Sequence, residues 1–126
     1  VERGCGHVIN IGSIAGHEVY PNGAVYCASK FAVAALTKGM RIDLNGTGVQ
    51  VSTVDPGLVN TEFSSVRFHG DQQRADSTYN GMTPLVGADI AEAVLWIAQR
   101  PAHVNVAEML VLPADQASAT VVDRSS

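Results

Sequence analysis

The chain has 126 residues, of which 46% are hydrophobic and 16% charged, with 8 Lys+Arg against 12 Asp+Glu for a formal net charge of -4. That is one domain's worth of globular chain, too apolar for disorder and without the Gly or heptad period of a fibre. The positive charges are scattered rather than clustered, which argues against a nucleic-acid surface, and no apolar run approaches the roughly 20 residues that a membrane helix needs.

In chain order, residues 7–12 (HVINIG) form a short, mostly β-branched run ending in small residues, as expected of a buried strand in a parallel sheet. Pro21-Asn22-Gly23 then breaks the chain. From 24 to 44, Ala28, Phe31, Ala32, Ala35, Leu36 and Met40 recur at three- and four-residue spacing with no interior Pro, which predicts a helix closed by Asn45-Gly46. Residues 49–54 (VQVSTV) alternate and predict a second strand, stopped by Pro56-Gly57.

Residues 60–84 show no clean period and mix Gly, Asp, Gln and Ser with Phe63, Phe68, Tyr79 and Met82. A loop of that length in a compact domain is often a lid or binding loop. The alternatives are a plain surface excursion for the loop and a small satellite core for its large apolar residues. Residues 88–99 return to helical spacing, with Asp89 and Glu92 in the first turn and Arg100-Pro101 at the end. Residues 107–112 predict a third strand, and the tail from Pro113 is small and polar.

The order strand-helix-strand-lid-helix-strand predicts an α/β fold built from two βαβ crossovers on a parallel sheet. Cys5 and Cys27 form no Cys-x-x-Cys pair, and the histidines at 7, 17, 69 and 103 lie at no metal-ligand spacing, so neither a disulfide framework nor a metal is expected. No basic-then-apolar leader opens the sequence, and a cytoplasmic, reducing location is expected.

The chemistry concentrates on Ser13, Tyr26 and Lys30. Tyr26 and Lys30 are four residues apart and so share one helix face about one turn (~6 Å) from each other. Ser13 directly follows the first strand at its carboxyl end, the edge where open α/β sheets bind ligands. A Tyr-x-x-x-Lys pair alone is weak, since a solvated helix face carries such pairs incidentally. Its weight comes from the company it keeps: NIGSIAG after a strand, Tyr26 thirteen residues beyond Ser13, and VDPGLVNT after the next strand.

In that conjunction the chain resembles the carboxyl-terminal half of a short-chain dehydrogenase/reductase, over essentially its whole length. NIGSIAG, VYCASKFAV, DPGLVNTEFSSVRFHGD and RPAHVNV are most similar to the NADP-dependent 3-hydroxy acid dehydrogenase branch that acts on serine or allo-threonine. The resemblance implies a Rossmann-type doubly wound parallel sheet, with residues 1–126 as a partial catalytic domain. It implies Tyr26 as the general acid/base, Ser13 as the group that orients the reacting oxygen, and Lys30 as phenolate stabiliser and ribose ligand. It also implies that Pro56, Gly57, Val59 and Thr61 meet the nicotinamide end of NADP, or of NAD. Ordinary turn and helix-cap roles are the alternatives for Pro56-Gly57 and Thr61.

A free phenol has a pKa of about 10, so work near neutrality asks Tyr26 for a drop of roughly 2 to 3 units, for which the Lys30 cation is suited. Arg67 is the charged candidate in the lid for a substrate carboxylate, since guanidinium matches carboxylate bidentately. Cys27 reads as packing, and Gly12 and Gly16 as close-approach turn residues.

The 126 residues contain no Gly-x-x-x-Gly-x-Gly turn, and the family's catalytic Asn and pyrophosphate-binding half are not among them. The expectation is that this chain alone binds NADP poorly and leaves its first strand as an exposed edge. The family typically forms tetramers, for which the small residues Ala28, Ala32, Ala34 and Ala35 suit close helix packing, unless they pack on the chain's own sheet. A 3-oxoacyl-carrier reductase, which would want a basic docking surface, and a non-catalytic interaction module are the competing readings.

Overall fold

The computed structural model describes residues 1–125. Three parallel strands, β1 (Gly6–Ile11), β2 (Val49–Pro56) and β5 (Glu108–Val111), form one sheet in the order β1-β2-β5. Between β1 and β2 runs α1 (Ala24–Asp43). Between β2 and β5 lie β3 (Val59–Asn60), α2 (Phe63–Arg67), α3 (Gln72–Ser77), β4 (Leu85–Val86) and α4 (Gly87–Ala98). The register sets Val8 opposite Val51 and Val54 opposite Met109. This is the α/β parallel architecture that the element order predicts.

The core follows β2, because among the described residues it alone has a strand on each side, and it carries both long helices. Val51 through Asp55 are all buried, and α1 and α4 both pack against this strand. β1 is only half-buried instead of fully buried, since it pairs with β2 alone among the described residues. Polar links help fix α1 on the sheet, among them the Asn10 amide donating to Thr37 Oγ1 at 2.9 Å and Arg41 Nε donating to the Val51 carbonyl at 3.3 Å.

The apolar stripe that predicts α1 is not the face it buries. Phe31 and Leu36 are exposed at 42% and 62%, as are Ala28, Ala32 and Ala35, while Cys27 and Thr37 turn inward. Apolar residues occupy more than one face of this helix, and the compact Cys27, Val33 and Thr37 allow the closer approach to the sheet. Small residues spaced for packing therefore face outward rather than onto the chain's own strands.

Residues 60–84 are a second correction. Instead of an irregular loop they hold two short helices, bracketed by the parallel pair β3–β4, which aligns Val59 with Leu85. Asp71 starts α3 by accepting from the Arg74 N–H at 3.0 Å, and His69 and Gly70 take left-handed backbone at φ 53° and 83° to turn between the helices. The tail is pinned rather than free: Arg124 donates to the Asn80 carbonyl at 2.7 Å, and the Thr83 N–H donates to Asp115 Oδ2 at 2.8 Å. Among the described residues no helix is long and apolar enough to cross a membrane.

Candidate functional site

The carboxyl ends of β1 and β2 open into a cavity of about 720 Å³. Ser13 leaves β1 as the cap of a single 3₁₀ turn, its hydroxyl accepting from the Ala15 N–H at 3.0 Å, and it is 9% exposed. Two glycines let this turn sit close to its neighbours. A Cβ on Gly12 would collide with the Asp55 carboxylate, and one on Gly16 would lie 2.9 Å from the Lys30 carbonyl oxygen. Asp55 in turn meets His17 Nε2 at 2.7 Å, which ties the far end of the turn to β2.

Tyr26 and Lys30 reach the same cavity from the first turns of α1. Lys30 Nζ donates to the Ile11 carbonyl at 3.3 Å and lies 6.0 Å from the centre of the Tyr26 ring. Burial is the largest influence on the Tyr26 phenol and raises its pKa, outweighing the Ser13 hydroxyl and the Arg67 cation, which pull it down. The lowering expected from Lys30 is thus not what this structure shows. With its ammonium drawn onto the Ile11 carbonyl, Lys30 is not among the influences that lower the phenol, and Arg67 is the cation that acts in that direction.

Pro56, Gly57, Val59 and Thr61 line the same cavity on the β2 side. Gly57 permits a close approach by Gln116, whose Oε1 accepts from the Leu58 N–H at 2.8 Å. Gln116 is 5% exposed and was not legible in a polar tail; only the folded chain brings it beneath the Pro-Gly turn. The Val59 carbonyl accepts from the Tyr79 hydroxyl at 2.8 Å, and Thr61 Oγ1 accepts from the Phe63 N–H at 3.2 Å. That bond closes a turn just ahead of α2, whose N-cap is Glu62, and Thr61 stays at the cavity wall.

The expected lid residues divide. Phe63, Phe68 and Tyr79 line the cavity, and the Phe63 ring lies 5.3 Å from Tyr26 at a 48° tilt. Met82 is buried at 8% exposure and does not line the cavity. Arg67 enters the cavity from the last turn of α2. Its guanidinium sits 5.3 Å from the Tyr20 ring centre and 5.7 Å from that of Tyr26, and Nη1 donates to the Tyr20 hydroxyl at 2.7 Å. No acidic side chain pairs with it among the described residues.

Cys27, on the inward face of α1, is 1% exposed, and His7 bonds Ser52 Oγ at 2.7 Å. The site thus offers a phenol and a serine hydroxyl, a lysine, a guanidinium with no acidic partner among the described residues, and a backbone edge from 56 to 61. Such a set can move a proton at a substrate oxygen while holding an anionic group nearby.

The family model for short chain dehydrogenase matches residues 1–72. An NADP-dependent 3-hydroxy acid dehydrogenase of Salmonella typhi is 50% identical over 120 residues, covering 94% of this chain and 48% of that protein. An uncharacterized oxidoreductase of Mycobacterium tuberculosis is likewise 50% identical over 120 residues, covering 95% and 48%. A solved closed form of serine dehydrogenase complexed with NADP+ superposes with a TM-score of 0.92 at 46% identity, over 96% of this chain and 49% of that one. The chain spans about half the length of the curated relatives it matches.

Proposed function

The chain belongs to the short-chain dehydrogenase family, and from that premise we propose that it carries the proton-transfer half of an NADP-dependent dehydrogenase acting on the β-hydroxyl of a small 3-hydroxy acid such as serine or allo-threonine. One observation carries this reading. Ser13, Tyr26 and Lys30 share a single cavity with the 56–61 edge and with Arg67.

The wall from Pro56 to Thr61 suits the nicotinamide end of NADP, since Gly57 keeps the turn thin there and the neighbouring backbone lies along the cavity. Lys30 stands where it can hold ribose hydroxyls. When bound, the coenzyme supplies a hydride acceptor or donor. Tyr26 takes the hydroxyl proton during oxidation and returns it during reduction. Ser13, held by its bond to Ala15, orients the reacting oxygen and hydrogen-bonds it as charge develops. Arg67 receives the carboxylate, in agreement with its lack of an acidic partner among the described residues.

Residues 1–126 form a partial Rossmann-type catalytic domain in this reading, and an amino-terminal half supplies the pyrophosphate-binding turn. The 126-residue chain by itself then binds NADP weakly and turns over negligibly. Fluorescence titration of NADPH against the purified chain tests this, and micromolar binding with hydride transfer would overturn it. The protein works in the cytoplasm as a homo-oligomer, a tetramer as is typical of the family. The outward apolar face of α1, with Val25 87% and Leu36 62% exposed, supports the association.

The functional proposal is tested by following NADP reduction with 3-hydroxybutyrate in the protein complete with its coenzyme-binding half. Turnover is expected. Turnover with butan-2-ol at an equal or greater kcat/KM would refute the hydroxy-acid reading.

A further inference from the structure

We propose that Tyr20 is a specificity-determining positioning residue, which holds the Arg67 guanidinium in the orientation that receives the substrate carboxylate. This rests on the reading of Arg67 as carboxylate receptor and adds a residue, and a segment, that the reading does not use.

Tyr20, Pro21, Asn22 and Gly23 form a tight turn just ahead of α1. Pro21 fixes φ at the second position of a turn, and Asn22 takes left-handed backbone at φ 63° at the third, the pattern of a type II turn. The Gly23 N–H closes it on the Tyr20 carbonyl at 3.1 Å. Gly23 contributes by what it lacks. A Cβ there would collide with the Tyr20 ring, so the ring lies folded down on the turn that carries it.

A tyrosine held in that way is a prepared platform rather than a mobile surface side chain. It presents both its face and its hydroxyl to Arg67, 47 residues away in sequence, with the guanidinium 5.3 Å from the ring centre and Nη1 at 2.7 Å from the oxygen. Arg67 itself comes from the five-residue helix α2, which has little stiffness of its own. An arginine has several rotatable bonds and loses carboxylate geometry when it is free to swing. The Tyr20 bond uses one Nη1 hydrogen and leaves the remaining guanidinium donors for a bidentate anion. Tyr20, Tyr26 and Arg67 all line the cavity, so the held guanidinium faces the place where the substrate oxygen meets the phenol.

The experiment measures kcat/KM with saturating NADP+ for 3-hydroxybutyrate and for butan-2-ol, in which a methyl replaces the carboxylate, using the protein complete with its coenzyme-binding half. Tyr20→Phe is expected to lower the acid-to-alcohol ratio about tenfold, the size of one hydrogen bond to a charged group, mainly through KM for the acid. Gly23→Ala displaces the ring without removing a polar atom and is expected to lower the ratio in the same direction. Arg67→Met is expected to lower it about 100-fold, as loss of a bidentate charge-assisted contact, and Tyr20→Phe added to Arg67→Met should then have no further effect. A ratio unchanged by Tyr20→Phe but collapsed by Arg67→Met overturns the role of Tyr20 and leaves Arg67 as receptor. Equal losses for acid and alcohol in Tyr20→Phe mark a merely structural role and also overturn it. A ratio unchanged by Arg67→Met overturns the carboxylate reading on which the inference stands.

Discussion

The cavity has two unlike walls. One is made of Ser13, Tyr26, Lys30 and the Pro56-Gly57 turn, all attached to β1, β2 or the first turns of α1, where Val54 and Asp55 are 0% and 5% exposed. The other is made of Phe63, Arg67 and Tyr79 on helices of five and six residues and their flanks, held by side-chain hydrogen bonds such as Ser64 to Tyr79 at 2.9 Å and Arg67 to Tyr20 at 2.7 Å. Under the proposed function, the reacting groups sit on the stiff side and the selecting groups on the adjustable one. Proton transfer needs atoms fixed to fractions of an ångström, whereas choosing a substrate tolerates a wall that settles onto it.

Substitutions should separate the walls. The largest effect belongs to the stiff wall: Tyr26→Phe should cost about 10² to 10⁴-fold in kcat for acid and alcohol alike, because it removes the proton acceptor. Steady-state assay with both substrates checks this, and a loss confined to the acid would move Tyr26 to the selecting side. Next is Gly12→Ala, whose new Cβ meets the Asp55 carboxylate against β2. About 1–3 kcal/mol of stability should be lost, together with activity, as read by urea unfolding.

A smaller effect joins the walls. Burial raises the Tyr26 pKa and the Arg67 cation opposes it. If the deprotonated phenol is the base in alcohol oxidation, as proposed, kcat/KM for butan-2-ol should rise with pH towards that pKa and level off above it. Removing the opposing charge in Arg67→Met should shift the rising limb to higher pH. A shift to lower pH, or none, would show that the lid cation does not reach the phenol electrostatically. The gentlest probe is native-state hydrogen exchange, in which amides of β2 should be protected longest and those of residues 61–82 should exchange first. Equal protection of both would erase the proposed contrast in stiffness.

The same contrast governs what could be read from the sequence. The three strands of the main sheet and both long helices were legible within one or two residues because each repeats its pattern over several turns or alternations. Ser13, Tyr26 and Lys30 were legible because strand end and helix spacing place them by local rules. The helices α2 and α3 were not, since five or six residues carry too little period to register. Neither was the outward turn of Phe31 and Leu36, because α1 is apolar on more than one face and periodicity cannot say which face meets the sheet. Gln116 and the Tyr20–Arg67 bond depend on contacts 58 and 47 residues apart in sequence, which no local pattern encodes.

The central claim, that the stiff wall performs proton transfer on a 3-hydroxy acid and the lid selects it, is tested most directly by one measurement: kcat/KM for 3-hydroxybutyrate and butan-2-ol in Tyr26→Phe and Arg67→Met proteins complete with the coenzyme-binding half. The account predicts that Tyr26→Phe lowers both substrates together and that Arg67→Met lowers chiefly the acid. Equal losses from Arg67→Met for both substrates, or full turnover in Tyr26→Phe, would contradict it.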